Sequence, residues 1–191
     1  MKKMKRCDWT QNDELMNCYH DEEWGIPVHD DLKWFEFIVL DAFQAGLSWK
    51  TILHKREEFR RAFDQFDYKK ISGYDSIKVE SLMGNKGIVR NRLKIIGTIK
   101  NANAFMSIQK EFGSFDRYIW SFTEGKTIVN KFASLKEIPT KTSLSDEISK
   151  DLKKRGFTFV GSTIVYSFLQ AAGIVNDHLI SCYRHNQVQM L

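Results

Sequence analysis

Residues 152–182 read LKKRGFTFVGSTIVYSFLQAAGIVNDHLISC, two helical patterns joined by a short turn between Gly156 and Gly161. Across 145–155, Ile148 and Leu152 fall four apart on one face, and Lys153, Lys154 and Arg155 occupy the last turn. Gly156 suits the left-handed residue that ends a helix, Phe157, Phe159 and Val160 can plug the turn, and Gly161 lets a backbone or a phosphate come close. Ser162 or Thr163 is the expected cap of the second helix, which turns Ile164, Val165, Phe168, Leu169 and Ala172 inward until Gly173 ends it. Such a hairpin faces free amides at Gly161, Ser162 and Thr163, and a helix dipole, toward any phosphate, with Lys153 and Lys154 beside them. An ordinary helical hairpin with a solvated basic end fits the same residues, and this stretch alone leaves both readings open.

Working outward, the helical period persists. A short helix is expected from about Asn12, closed by Gly25 and Pro27. The next starts at Asp30 or Asp31 and carries Leu32, Phe35, Phe37, Ile38, Val39 and Phe43, too apolar all round for a surface helix, so it belongs at the centre. Ser48 caps a third, with Ile52, Leu53, Phe59 and Phe63 inward and a row of Lys and Arg outward. Residues 67–113 stay helical with breaks at Gly73, Gly84 and Gly87, 115–122 form a short aromatic helix, and 123–145 read as a long connection. The basic residues after Gly87, including Arg90, Arg92 and Lys94, suit a solvated helix face better than a second phosphate site. No stretch alternates as a sheet requires. The fold class is therefore all-α, in a single domain over 1–191, with a soft division into a lobe of the two chain ends and a lobe of 33–140.

With 191 residues, 42% of them apolar, the chain can bury a substantial core. A net charge of +5 with 24 acidic residues excludes a polycationic tail, so any nucleic-acid surface must be local. The basic start MKKMKR is followed by polar CDWTQNDE rather than a signal-peptide apolar run, and no later stretch is a membrane span, so a cytoplasmic location is expected. Three cysteines argue for reduced thiols or metal ligands over a disulfide framework.

Two constellations could carry chemistry. His178 and Cys182 lie four apart, which on a helix sets their Cβ atoms roughly 5–6 Å apart and offers half of a tetrahedral metal site. Cys7 and His20 could supply the other half, with Cys18 competing for a place; buried thiols without metal remain the alternative. The second constellation is Trp9, Tyr19, Trp24, Asp41 and Trp49. Flat walls and one carboxylate suit a nucleobase, held by stacking while the acid accepts from an exocyclic amine or attracts a positive ring; an aromatic core is the alternative. Asp41 in so apolar a helix must reach solvent, pair with a base or line a cavity.

Taken together, CDW at 7–9, YHDEEWGIP at 19–27, QAGLSW at 44–49, GIVRNRLKI at 87–95, IPT at 138–140 and 152–178 make the chain resemble the 3-methyladenine DNA glycosylase I family of the helix-hairpin-helix superfamily, over nearly its whole length. The resemblance implies action on duplex DNA with alkylated bases, excising 3-methyladenine by hydrolysis of its N-glycosidic bond; a monomer is expected. It implies one structural Zn2+ held by Cys7, His20, His178 and Cys182, tying the chain ends together and leaving Cys18 a bystander. It maps base-pocket residues onto Trp9, Tyr19, Trp24 and Trp49 and a wedge onto Leu47; the DNA-phosphate contacts expected from the hairpin's own residues are Gly156, Gly161, Ser162, Lys153 and Lys154. The family's base-contacting glutamate, usually followed by glycine, falls on Asp41 and Ala42, so the catalytic assignment goes to an acid one methylene shorter and the lesion range is open to a shift. Asp177 falls near the catalytic aspartate of other helix-hairpin-helix glycosylases; its expected role is to cap the last helix or orient a metal-binding histidine. A metal-braced module that binds DNA without cleaving the base is the other function class; formation of alkali-labile sites separates the two.

Overall fold

The computed structural model describes residues 5–10 and 13–190. Ten α-helices follow in order among them: α1 (Glu14–Glu22), α2 (Asp31–Gln44), α3 (Trp49–Ala62), α4 (Tyr68–Ile71), α5 (Ser76–Gly84), α6 (Arg92–Phe112), α7 (Phe115–Ser121), α8 (Ser143–Lys154), α9 (Ser162–Ala171) and α10 (Arg184–Gln187). The expected start at Asn12 lies outside the described residues; Asp13 caps α1 by accepting from the Met16 amide. Side-chain caps also start α2 at Asp30, α3 at Ser48, α6 at Asn91 and α7 at Ser114, while Thr142 and Ser145 form a reciprocal capping box on α8.

Ten of the fourteen residues of α2 are buried, and the helix packs against α3, α6, α7 and α9, the central place its composition predicts. Its first turn holds α7: Asp31 accepts from the Phe115 and Asp116 amides, each at 3.0 Å. Its last turn is closed by the buried Lys94 of α6, whose ammonium donates to the carbonyls of Phe43 at 2.9 Å and Ala45 at 2.7 Å. A cation there also complements the negative end of the helix dipole. One basic residue of α3 departs from the expected outward row. Arg56 is buried and bonds Glu36 of α2 and Glu23 beyond α1, because the acids it faces come from other helices.

The hairpin between α8 and α9 is held on both sides. Gly156 takes φ +95°, and its amide bonds the Lys153 carbonyl while the Phe157 amide bonds that of Leu152, the Schellman closure. Asn101 of α6 clamps the turn from below, accepting from the Thr158 amide at 2.8 Å and donating to its carbonyl at 3.1 Å. Close approach depends on Gly97: a β-carbon there would lie 2.8 Å from Thr158 Oγ1 and 2.9 Å from the Phe159 ring. The expected cap at Ser162 or Thr163 is not found. Gly161 occupies the capping position in extended backbone, Ser162 is already the first helical residue, and no side chain caps α9.

Strand content is confined to β1 (Ile128–Val129) and β2 (Val175–Asn176), paired in parallel within the long connection and after α9, too short for alternation to announce. The 25–28 segment passes under α9, where the Gly25 amide bonds the Gln170 carbonyl and the Val28 amide that of Ala172, satisfying carbonyls that the end of α9 leaves free. One apolar core runs through all of this, from Cys7 to Cys182. Among the described residues no helix is long and apolar enough to cross a membrane.

Candidate active site and metal centre

Cys7 precedes α1, His20 sits in its last turn, and His178 and Cys182 follow β2. The helix expected around His178 and Cys182 is absent. After pairing with β1, the chain turns irregularly through 177–183, held by the Ile180 amide on the Phe132 carbonyl and the Cys182 amide on that of Leu179. The turn still converges the pair. Cys182 Sγ lies 3.6 Å from His178 Nδ1 and 3.4 Å from His20 Nε2, Cys7 Sγ lies 3.7 Å from His178 Nδ1, and all four donor atoms fall within 4.8 Å of one another. Each outward ring nitrogen is engaged: His20 Nδ1 by Asp21 at 2.8 Å, with Arg6 behind it, and His178 Nε2 by the Trp24 carbonyl at 3.0 Å. That fixes both rings with their remaining nitrogens facing the sulfurs, the arrangement a metal needs. The neighbouring sulfur and burial push the Cys7 thiol up, while donation from Cys7 and both imidazoles holds Cys182 low. The group could hold one metal ion. Cys18 stands apart, exposed, with its thiol donating to Glu22 at 3.4 Å.

The aromatic cluster is built directly on this quartet. Trp24 lies 4.5 Å from His178 edge-on and stacks against His20 at 6.1 Å, and Trp9 meets Trp24 at 5.1 Å. Their far faces, with Met16, Tyr19, Asp41 and Trp49, enclose a cavity of about 380 Å³. All five residues of the base-type constellation therefore line one space, rather than packing as plain core. Asp41 is 2% exposed, and burial drives its carboxyl well above the usual carboxylate range. Three buried polar atoms at this cavity have no partner among the described residues: Asp41 Oδ2, Trp9 Nε1 and Trp49 Nε1. Among the described residues one further such atom, Arg184 Nε, lies away from this cavity, so three gathered at one space mark a candidate ligand site.

Leu47 is 42% exposed in the loop that delivers Trp49 to the cavity. Lys153 and Lys154 are exposed beside Gly156, and the uncapped amides from Gly161 onward start α9. Arg155 is diverted into bonds with Asp151 at 2.6 Å and Glu111 at 2.7 Å, so it is not a free cation. Neither role expected of Asp177 is found. The last α-helix has no side-chain cap and His178 is oriented by Trp24, whereas Asp177 accepts from Tyr166, Gln170 and Asn130. Sequence reading also missed Gln170 and Ser167 of α9, which line the same cavity. Their polar types on an otherwise apolar helix are a signal that only the location of the cavity makes legible.

Comparison with known proteins follows the same lines. A family model described as methyladenine glycosylase matches residues 9–185. DNA-3-methyladenine glycosylase 1 of Escherichia coli K12 is 49% identical over 179 residues, covering 94% of this chain and 96% of its own. A crystal structure of 3-methyladenine DNA glycosylase I superposes with a TM-score of 0.91 at 49% identity, covering 94% of this chain and 98% of that one. The Staphylococcus aureus enzyme, in a structure addressing 3-methyladenine recognition, gives a TM-score of 0.91 at 34% identity over 94% of this chain and 96% of its own. Matched over nearly its full length in sequence and in fold, the chain belongs to the methyladenine glycosylase family.

Proposed function

We propose that the protein is a base-excision repair glycosylase that hydrolyses the N-glycosidic bond of 3-methyladenine in duplex DNA. The observation that carries this is the aromatic cavity with its three unpartnered buried polar atoms. A flat heterocycle can stack on Trp9, Tyr19, Trp24 and Trp49 while it engages the two indole N–H groups and Asp41. Charge adds selectivity. Burial raises the Asp41 carboxyl, and a cationic base beside it favours the ionised form that burial disfavours, so the site favours an N3-alkylated adenine over an undamaged, neutral one.

The duplex is held at the α8–α9 hairpin, where the amides at Gly161 and Ser162 take a phosphate, Gly156 keeps the turn tight, and Lys153 and Lys154 add charge. Leu47 fills the space that the flipped base leaves. The base is already a good leaving group because it carries a positive charge. Asp41 therefore needs only to stabilise and orient it, while the aromatic walls exclude bulk water.

Cys7, His20, His178 and Cys182 would hold one Zn2+. Zinc bonds of about 2.3 Å to sulfur and about 2.0–2.1 Å to nitrogen would need sulfur-to-nitrogen separations of about 3.6 Å, and three of the separations here are 3.4, 3.6 and 3.7 Å. Held by four protein ligands, such an ion would supply a structural cross-link between the two ends of the chain, beside Trp24.

The test is incubation with methylated duplex DNA. Release of 3-methyladenine with matching alkali-labile sites is expected; tight binding without release would return the chain to the class of non-cleaving DNA-binding modules.

A further inference from the structure

Asp177 is 1% exposed, and three uncharged donors converge on its carboxylate: Tyr166 Oη at 2.5 Å, Asn130 Nδ2 at 2.6 Å and Gln170 Nε2 at 2.7 Å. Among the described residues no cation pairs with it. Burying an acid without a counter-charge is costly, and neither of its expected structural roles accounts for it. Of the three donors, only Gln170 lines the aromatic cavity. Because its amide N–H is committed to Asp177, the orientation of the amide is fixed and Oε1 is left as its free acceptor.

The position of that acceptor follows from α9. The helix begins at the uncapped amides after Gly161 and, nine residues or about 13 Å later, reaches Gln170, with Ser167 one turn before it on the same cavity wall. A base seated among the tryptophans of this cavity leaves its C1′ at the mouth of the same space that Ser167 and Gln170 line.

We propose that Gln170 Oε1 accepts a hydrogen bond from the water that adds to C1′, and that Asp177 is the positioning residue that keeps the Gln170 amide turned that way. This rests on the glycosylase reading. The C1′–N9 bond breaks with its electron pair passing to the base, which leaves as neutral 3-methyladenine. The water oxygen forms the new bond to C1′, and its surplus proton goes to solvent, since an amide orients a water but does not take its proton. A sugar cation is short-lived, so a nucleophile held in place beforehand counts for much of the rate.

Single-turnover excision from methylated duplex, free 3-methyladenine affinity and product partition in water–methanol mixtures are to be measured on wild type, Gln170→Leu and Asp177→Asn. Gln170→Leu is expected to lose about 100-fold in excision rate, with free-base affinity changed less than about threefold. Asp177→Asn should lose less. In both variants the share of methyl glycoside product should rise, because an unpositioned nucleophile site no longer discriminates; a purely structural defect would not move that ratio. Wild-type excision by Gln170→Leu, a fall in free-base affinity parallel to rate, or an unchanged methanol partition overturns the proposal alone. Absence of excision by the wild type overturns the glycosylase reading as well.

Discussion

The Cys7–His20–His178–Cys182 quartet and the Asp41 cavity share Trp24 as a common wall, yet they treat buried polarity in opposite ways. In the quartet every donor atom faces another and each outward ring nitrogen has a partner. Across Trp24, Asp41 Oδ2 and two indole nitrogens are buried with no partner among the described residues. Satisfied polar clusters hold a fold together, whereas unsatisfied ones are sustained by the rest of the fold for a ligand that completes them. The difference predicts that substitutions in the first kind of region cost stability, and that substitutions in the second cost activity and leave stability unchanged or improved.

The largest effect is expected where a satisfied buried network loses one member. Arg56→Ala removes the buried cation that Glu36 and Glu23 share, leaving them only the more exposed Lys33 and Arg60, and should cost about 3 kcal/mol in chemical denaturation. The acid limb should change with it. Burial alone would raise the Glu23 carboxyl, but hydrogen bonds and charge from Arg56 outweigh it and hold it at about 2, against an ordinary 4.5. A depressed carboxyl contributes stability above pH 4.5 that is lost as pH falls toward 2, so the wild type should lose stability over that window and Arg56→Ala should lose less. Equal slopes in the two proteins would remove Arg56 as the cause.

Cys7→Ala should abolish stoichiometric zinc and lower the melting temperature by freeing the N-terminal segment, while protein that stays folded keeps its excision chemistry. Metal analysis and excision rate per folded molecule check this; a folded but inactive variant would break the separation between the two regions.

Asp41→Asn sits on the other side of the comparison. Excision should fall about 100-fold. Stability should rise instead. Below pH 3.8 both the folded and unfolded wild type are protonated at Asp41; above it the unfolded chain ionises first, so wild-type stability declines with pH and the advantage of Asp41→Asn grows. Melting curves from pH 4 to 8 test the sign. The smallest effect belongs to the exposed hairpin. Lys153→Ala and Lys154→Ala should each flatten the salt dependence of duplex binding by about 0.9 in the log–log slope, without altering fold or base selectivity; an unchanged slope takes that side chain off the interface.

What the sequence made legible was whatever short-range pattern encodes. Gly156 and the apolar turn after it announced the hairpin, and the all-round apolar character of 32–43 announced the central helix. Spacing pointed to His178 with Cys182, but for an incomplete reason, since strand pairing at 175–176 turns the chain away from a helix and still brings both side chains into the quartet. Gly161 took the place expected of a hydroxyl cap, leaving amides free that a serine cap would have used. Arg56, Lys94 and Asp177 were opaque because their meaning lies in partners 20 or more residues away or, for Asp177, in a glutamine that matters only once the cavity is known.

The central claim is that the unsatisfied cavity is the lesion site, and it is tested most directly by 3-methyladenine released per enzyme from methylated duplex, wild type against Asp41→Asn, with duplex affinity measured on the same samples. The account predicts a loss of about 100-fold in release with duplex affinity unchanged, because phosphate contacts, which it assigns to the hairpin, dominate affinity for duplex in general. Equal release from the two proteins would show that the buried carboxylate does not engage the base, and would contradict it.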